Sequence, residues 1–386
     1  MRHSHFARVS SFLAALGLTG CHPSQTWMAP LPGSSHPAYA ITDLGAGSTL
    51  GINNLSQVVG HFPAGAFPNS HGFPYFHGCL WDKGKRTEMP TLGGWYSEAG
   101  NINDRGQVLG TSTVAGTERP GTLVTRPCLW DGYTLTDLDA DPRFRGTSAV
   151  HIAPSGAVYA VSPPQGQNKQ RHLWFYPAGF GPGIRRDFGV VGGPEIKPLF
   201  INDRGMVVGT WGTGEKHNAA DTLGVRRAFA WHPGQRKWTD LGTLGGRDSK
   251  PTALNISGQV VGDADLIGDP VTQIPQDHAF LWEKGKMRDL GTLPGGHRSR
   301  PCAINHSGQI VGYSDIKGSE LSSRPVLWEH GRMEDLSLLI PSGTPWINLD
   351  GAAGINDRGQ IVGDGIVESD RHGDTFRSHG YLLTPR

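Results

Sequence analysis

The 386 residues carry 35 Lys and Arg against 34 Asp and Glu, with charged residues at 18% and glycine at 56 positions. A near-neutral chain supplies no field for capturing nucleic acid or an anionic membrane surface. Glycine at about twice its usual frequency, without the charge excess of disorder, indicates many turns between short strands. The 4 cysteines show no CxxC spacing, which argues against structural zinc and a disulfide framework and leaves packing to hold the fold.

In chain order, the first feature is a targeting pattern. Arg2 and Arg8 precede the short apolar run SFLAALGL, and LTGC ends at Cys21. The run is too short to persist as a membrane-spanning helix. LTGC resembles the bacterial lipobox, and that resemblance implies diacylglycerol on Cys21, cleavage before it, and, with His22 following, outer-membrane sorting. Residues 1–20 are then a lipoprotein signal peptide and 21–38 a flexible tether, rich in Pro and Ser and free of Asp, Glu, Lys and Arg. Residues 1–20 hold two Arg and no acid, so their removal leaves 33 basic against 34 acidic residues, a net charge of −1.

From Tyr39 onward one phrase recurs. GINNLSQVVG contains Asn53, NINDRGQVLG Asn103, FINDRGMVVG Asn202, ALNISGQVVG Asn255, AINHSGQIVG Asn305 and GINDRGQIVG Asn356, at spacings of 50, 99, 53, 50 and 51 residues. The gap of 99 is two periods, and VHIAPSGAVYAV fills it with Ala153 in place of Asn, giving seven copies. A second phrase runs in phase, a strand ending in an aromatic, then a turn and DLG. Its tryptophans are Trp81, Trp130, Trp174, Trp231, Trp282 and Trp328. The seventh copy is split between HGYLLTPR at the C-terminus and YAITDLG at residues 39–45.

Each period holds four short β-branched or aromatic segments separated by Gly-bearing turns, the pattern of a four-stranded meander. Strand A ends at the Asn, B is QVVG, C is HAFLW and D is MRDLG. Copies of about 50 residues predict propeller blades. The expected fold is therefore an all-β, seven-bladed β-propeller over 39–386, closed by strand 39–45 pairing with strand 379–383, an arrangement that hides two edges. HAFLWEKGKMRDLGTLPGGHRSRPCAINHSGQIVGYS resembles the extracellular HAF repeat, with His278, Ala279 and Phe280 matching its His-Ala-Phe, and copies cover nearly all of the chain from Tyr39 on. The resemblance implies no established activity.

The repeated turn residues Asp104, Asp203 and Asp357 with Arg105, Arg204 and Arg358 are read as turn chemistry. Asn caps the turn, and Gly106, Gly205 and Gly359 supply positive φ. His77, His278 and His379 are strand-end side chains and the repeated Trp packs between copies. No HExxH, GxSxG or phosphate-loop motif occurs. Function is expected where copies differ. The D–A loops GGWYSEAG, GGPEIKP, GGRDSKP and GGHRSRP bring Trp95, Tyr96, Glu98, Glu195, Lys197, Arg247, Asp248, Lys250, His297, Arg298 and Arg300 to one face, at the channel mouth. These are the candidate binding residues.

The expected function is a non-catalytic binding or scaffolding propeller, monomeric and lipid-anchored to the bacterial envelope. It contacts an envelope protein or glycan, without nucleic acid, cofactor or metal, and touches the membrane through its lipid alone. The alternative is a polysaccharide hydrolase or lyase using Glu98, Glu195 or Asp248, which needs two carboxylates flanking one cleft. The acids of GDADLIGDP (Asp263, Asp265, Asp269) and GDGIVESDRHGD (Asp364, Glu368, Asp370, Asp374) fit no EF-hand loop and are read as solvated loop residues.

Overall fold

The computed structural model describes residues 38–63, 76–116, 124–140, 148–162, 172–177, 186–190, 197–216, 224–232, 235, 237–267, 276–316, 319–368 and 378–386. The expected signal peptide, most of the expected tether with Cys21, and Glu195, Asp269, Asp370 and Asp374 lie outside them. Within them the chain is an all-β propeller, with a single 3-10 turn at Leu336–Leu338.

Five four-stranded antiparallel sheets stand alone, where seven were expected. Four are consecutive in sequence: Ser148–Ile152 to Arg186–Val190, Lys197–Ile201 to Thr239–Gly242, Gly245–Leu254 to Lys286–Asp289, and Ser299–Ile304 to Arg332–Asp335. The fifth orders Tyr39–Ala46, Ser378–Pro385, Ile361–Val367 and Trp346–Ile355, so the N-terminal strand is outermost and pairs antiparallel with the C-terminal one. The other eight strands form one sheet. Its halves, Ser48–Ile52 to Lys85–Glu88 and Gly93–Ile102 to Leu135–Asp137, are joined by one parallel contact between Phe76 and Tyr96.

The repeated Asn does more than cap its turn. Its Oδ1 accepts the N–H groups of the turn, as Asn103 does from Arg105 and Gln107, while its Nδ2 donates to the backbone oxygen of the next copy. Asn53 reaches Asn103, Asn103 reaches Ala153, Asn202 reaches Asn255, Asn255 reaches Asn305, and Asn305 reaches Asn356, all at 2.9–3.0 Å. All of these Asn are buried. Gly106, Gly205 and Gly359 have φ of 77°, 79° and 72°, as the turn requires.

The turn acids are likewise used between copies: Asp104 Oδ1 accepts from Asn54 N and Asp357 Oδ1 from His306 N, both at 2.8 Å. A second latch escapes sequence reading. Ser97, Ser249 and Ser299, each six residues before its Asn, accept the N–H of Gly78, Ala228 and Ala279 on the preceding copy's C strand. Between strands A and B the approach is tight, since a Cβ on Gly262 or Gly312 would sit 2.1 or 2.0 Å from the carbonyl of Lys250 or Arg300. The glycine of QVVG therefore cannot be replaced without parting the strands.

The HAF and DLG phrases meet within one copy. The residue opening strand C pairs with the acid of strand D: His278 with Asp289 at 3.0 Å, His379 with Asp43 at 3.0 Å, Arg126 with Asp137 at 2.7 Å. Burial alone would raise the Asp289 carboxyl, but hydrogen bonds from His278 and the Gly291 N–H hold it below its ordinary range. One repeat assignment is corrected. Tyr176, not Trp174, pairs with Val158 as Trp130 pairs with Val108 and Trp282 with Val260. The two aromatics of HLWFYP are two apart and share a strand face, so alternation could not choose between them.

The core lies between sheets. Met206, Val208 and Leu241 pack with Val260 and Phe280 of the next sheet, and Val261, Ala279 and Leu281 pack with Ile304, Val326 and Trp328. Leu44, Val362 and Leu382 of the last sheet pack against Val58 of the first copy. Cys79 and Cys128 are free and buried.

Candidate functional site

Because successive strands are antiparallel, A–B and C–D turns share one face, and D–A and B–C connections share the other. On the latter the expected loop residues are mostly the opening residues of A strands. Trp95, Tyr96 and Glu98 lie in Gly93–Ile102, Arg247 and Asp248 in Gly245–Leu254, and Arg300 in Ser299–Ile304, with His297 and Arg298 just before it. Lys197 opens Lys197–Ile201 and pairs through its backbone with Thr210.

The starts of three of these A strands, those of Tyr96, Asp248 and Arg298, are fastened by strand B, ten residues beyond the Asn. Thr113 Oγ1 accepts from Tyr96 N at 3.0 Å, and Asp265 Oδ2 accepts from Asp248 N at 3.2 Å. Asp315 Oδ1 accepts from both His297 N and Arg298 N at 2.8 Å.

The structure gathers Asp248, Arg298 and Arg300 into one charged group with Asp263, Asp265 and Asp277. Arg298 Nη2 meets Asp277 Oδ2 at 2.8 Å, with the Arg298 side chain 58% exposed. Arg300 Nε meets Asp263 Oδ1 at 3.2 Å deeper in the face. Burial raises the Asp263 carboxyl, and the charges of Arg300 and Lys250 oppose that. Asp265 is pushed up to about 6, by burial first, with the charges of Asp248 and Asp277 adding to it against the Asp248 N–H.

Asp263 and Asp265 are therefore strand residues of Val260–Leu266 and not solvated loop acids. Strand B carries on past QVVG, and the alternation in GDADL was the signal. Asp364 is likewise buried, in Ile361–Val367. Among the described residues no three His, Cys, Asp or Glu side chains cluster as metal ligands.

Trp95, Tyr96 and Glu98 occupy a separate sector. The two rings meet edge-on with centroids 5.9 Å apart. Glu98 is 1% exposed and accepts from Tyr96 Oη at 2.5 Å. Burial pushes its carboxyl up to about 7 despite that bond.

On this face Asp263 and Asp277 are paired with guanidinium groups, Glu98 is sealed under a phenol, and Asp248, Asp265 and Asp315 accept backbone N–H groups. Arg298, Arg247 and Lys250 are exposed, and Trp95 and His297 half-exposed. The arrangement offers charged and aromatic surface for contact.

No protein-family model and no curated protein matches the chain. Solved structures do resemble it. The β-propeller domain of the Trilobed protease from Pyrococcus furiosus aligns with a TM-score of 0.52 at 8% identity, over 89% of this chain and 95% of that one. Pyrococcus horikoshii acylaminoacyl peptidase aligns with 0.53 at 11% identity, over 88% of this chain and 51% of that one. A structure from a study of two prolyl endopeptidases gives 0.50 at 8% identity, over 96% of this chain and 52% of that one. The chain thus spans about half the length of these two peptidases. At such identities the likeness is one of fold.

Proposed function

We propose that this chain is a non-catalytic binding or scaffolding propeller of seven blades in a closed ring, which engages an envelope protein or glycan through its D–A and B–C face. The seven-blade reading divides the eight-stranded sheet at the lone Phe76 to Tyr96 contact. Closure is supported by the bond from Asn356 Nδ2 to Asn53 O and by the packing of Val58 against Leu44, Val362 and Leu382. The HAF resemblance and the lipobox at Cys21 support export and lipid anchoring at the envelope, most simply at the outer membrane.

The observation that carries the binding reading is the asymmetry of the faces. Polar groups of the turn face are spent on neighbouring copies, as with Asp104, Asp357 and Arg105, whose Nη1 donates to Ser155 O. The opposite face differs from copy to copy and leaves Arg298 and Arg247 exposed in one sector and Trp95 half-exposed in another. Arg and Trp are residue types that dominate contact energetics. A hydrolase would need two available carboxylates, yet Glu98 is buried under Tyr96 and Asp248 Oδ1 accepts from Arg226 N at 2.6 Å.

The test is an alanine series on the mature domain, assayed for melting and for capture by envelope fractions. Trp95→Ala and Arg298→Ala should weaken capture and spare folding, and Arg105→Ala should leave capture intact. The reverse pattern assigns function to the turn face.

A further inference from the structure

Asp350 stands six residues before Asn356, the offset at which Ser97, Ser249 and Ser299 latch onto the preceding copy. In those copies the latch accepts an N–H from Gly78, Ala228 or Ala279, each following the His or Arg that opens strand C. The corresponding residue here is Pro325, after Arg324, and proline has no N–H. A carboxylate thus stands at the hydroxyl's offset, in a bulge between Leu349, which pairs with Gly365, and Gly351, which pairs with Asp364, while the usual donor is missing.

The surroundings make that carboxylate costly. Asp350 and Asp364 are 9% and 5% exposed, on adjacent strands of one sheet. Burial first, then the charge of Asp364, pushes Asp350 up to about 7, with only a hydrogen bond from Asn348 opposing. Asp263, by contrast, has Arg300 and Lys250 acting on it. Burial first, then the charges of Asp364 and Asp350, raises the phenol of Tyr381, whose Oη donates to Gly351 O at 2.8 Å. Asn348 is 6% exposed and its Nδ2 bonds Asp350, yet its Oδ1 is buried without a partner. Buried amide oxygens seldom go unsatisfied.

We propose that Asn348, Asp350 and Asp364 bind a hard divalent cation of calcium's class. Two carboxylates and an amide oxygen are the ligand types such an ion takes, three of its roughly six to eight oxygens. The ion would neutralise the carboxylate pair and occupy the orphaned amide oxygen. It would lie where Asp364 Oδ1 holds Thr49 N and Oγ1 of the first copy at 2.8 and 3.0 Å, tying metal occupancy to the junction of the chain's two ends.

Terbium is the probe, because Trp346 and Tyr381, with ring centroids 5.9 Å apart, are antennae beside the site. Chelator-treated mature protein excited in its aromatic band should sensitise terbium emission, and calcium should displace the ion. Asp350→Asn, which keeps shape and hydrogen bonding, should weaken terbium binding by at least about tenfold. Asn348→Asp, with a third carboxylate, should tighten it. Circular dichroism establishes that each variant is folded. Absence of sensitised emission, or affinity within about twofold of the parent in both variants, overturns the site and leaves Asp350 as a proton-binding group.

Discussion

The side-chain amide of Asn356 donates to the backbone oxygen of Asn53 at 2.9 Å, across 303 residues of sequence. It is the bond that every other repeat Asn makes to its successor, so one residue type both shapes the turn and fixes the neighbour.

Asn305→Ala should therefore cost more than a turn cap. The buried amide gives up bonds to Gln309 N, Gln309 Oε1 and Asn356 O, and leaves them to be satisfied elsewhere. A loss of about 2 to 4 kcal/mol is expected from such a network. The third copy is the natural counterpart, since Ala153 keeps the turn bond from Gly156 N but has no amide to donate to Asn202. Ala153→Asn should raise stability by about 1 kcal/mol. Denaturant midpoints of both variants check this; equal small losses in both would mean that the amides merely decorate the turns.

These relationships show what the sequence could and could not disclose. The period, the four strands per copy and the split last copy were legible because turn glycines and alternating apolar residues are local signals. The partner of each repeat Asn was not, because it lies a whole period away and no pattern within one copy marks it. Ser97, Ser249 and Ser299 recur in phase yet were passed over, since a serine at a strand start has many ordinary uses. Glu98 and Asp263 were read as surface acids because loops and strand starts look alike in composition, and only the fold reveals that their strands begin early. Asp277, which pairs with Arg298, carries no repeat signal at all.

The proposed anchoring rests on the sulfur of Cys21. Two or more acyl chains give stable attachment where one is marginal. Cys21→Ser should release the domain from membranes or leave it unprocessed. Intact mass and membrane partition of the two forms decide, and unchanged values for both would point to simple secretion.

Glu98 should make stability depend on pH. Its carboxyl titrates near 4.5 when unfolded and at about 7 when buried in the fold. Between those values the folded state binds more protons than the unfolded state, so stability falls as pH rises from about 4.5 to 7 and is level above that. The loss across the window is on the order of 3 kcal/mol. Glu98→Gln should retain the low-pH stability at pH 8 and flatten the curve. Asp350, also at about 7, leaves a residual slope. Urea midpoints at pH 5 and pH 8 that differ equally in parent and Glu98→Gln would show that Glu98 titrates as an ordinary surface acid.

Deleting His379–Arg386 separates a closed ring from an open array. The segment carries Tyr381, Leu382 and Leu383, all buried, and supplies the strand between Tyr39–Ala46 and Ile361–Val367. Each such side chain contributes about 1.5 to 3 kcal/mol by burial, which together rivals the whole stability of a domain. In an open array, where each repeat contacts only its neighbours, the damage would stay in the last sheet and the rest would melt as before. In a ring the same cut also loosens the Asn356 to Asn53 bond and the packing of Val58 against Leu382, so the first copy loses its neighbour too. The truncated domain should lose its cooperative melting transition, and a peptide spanning Ser378–Arg386 added in trans should restore it. Melting within about a degree or two of the parent would refute the split-blade closure.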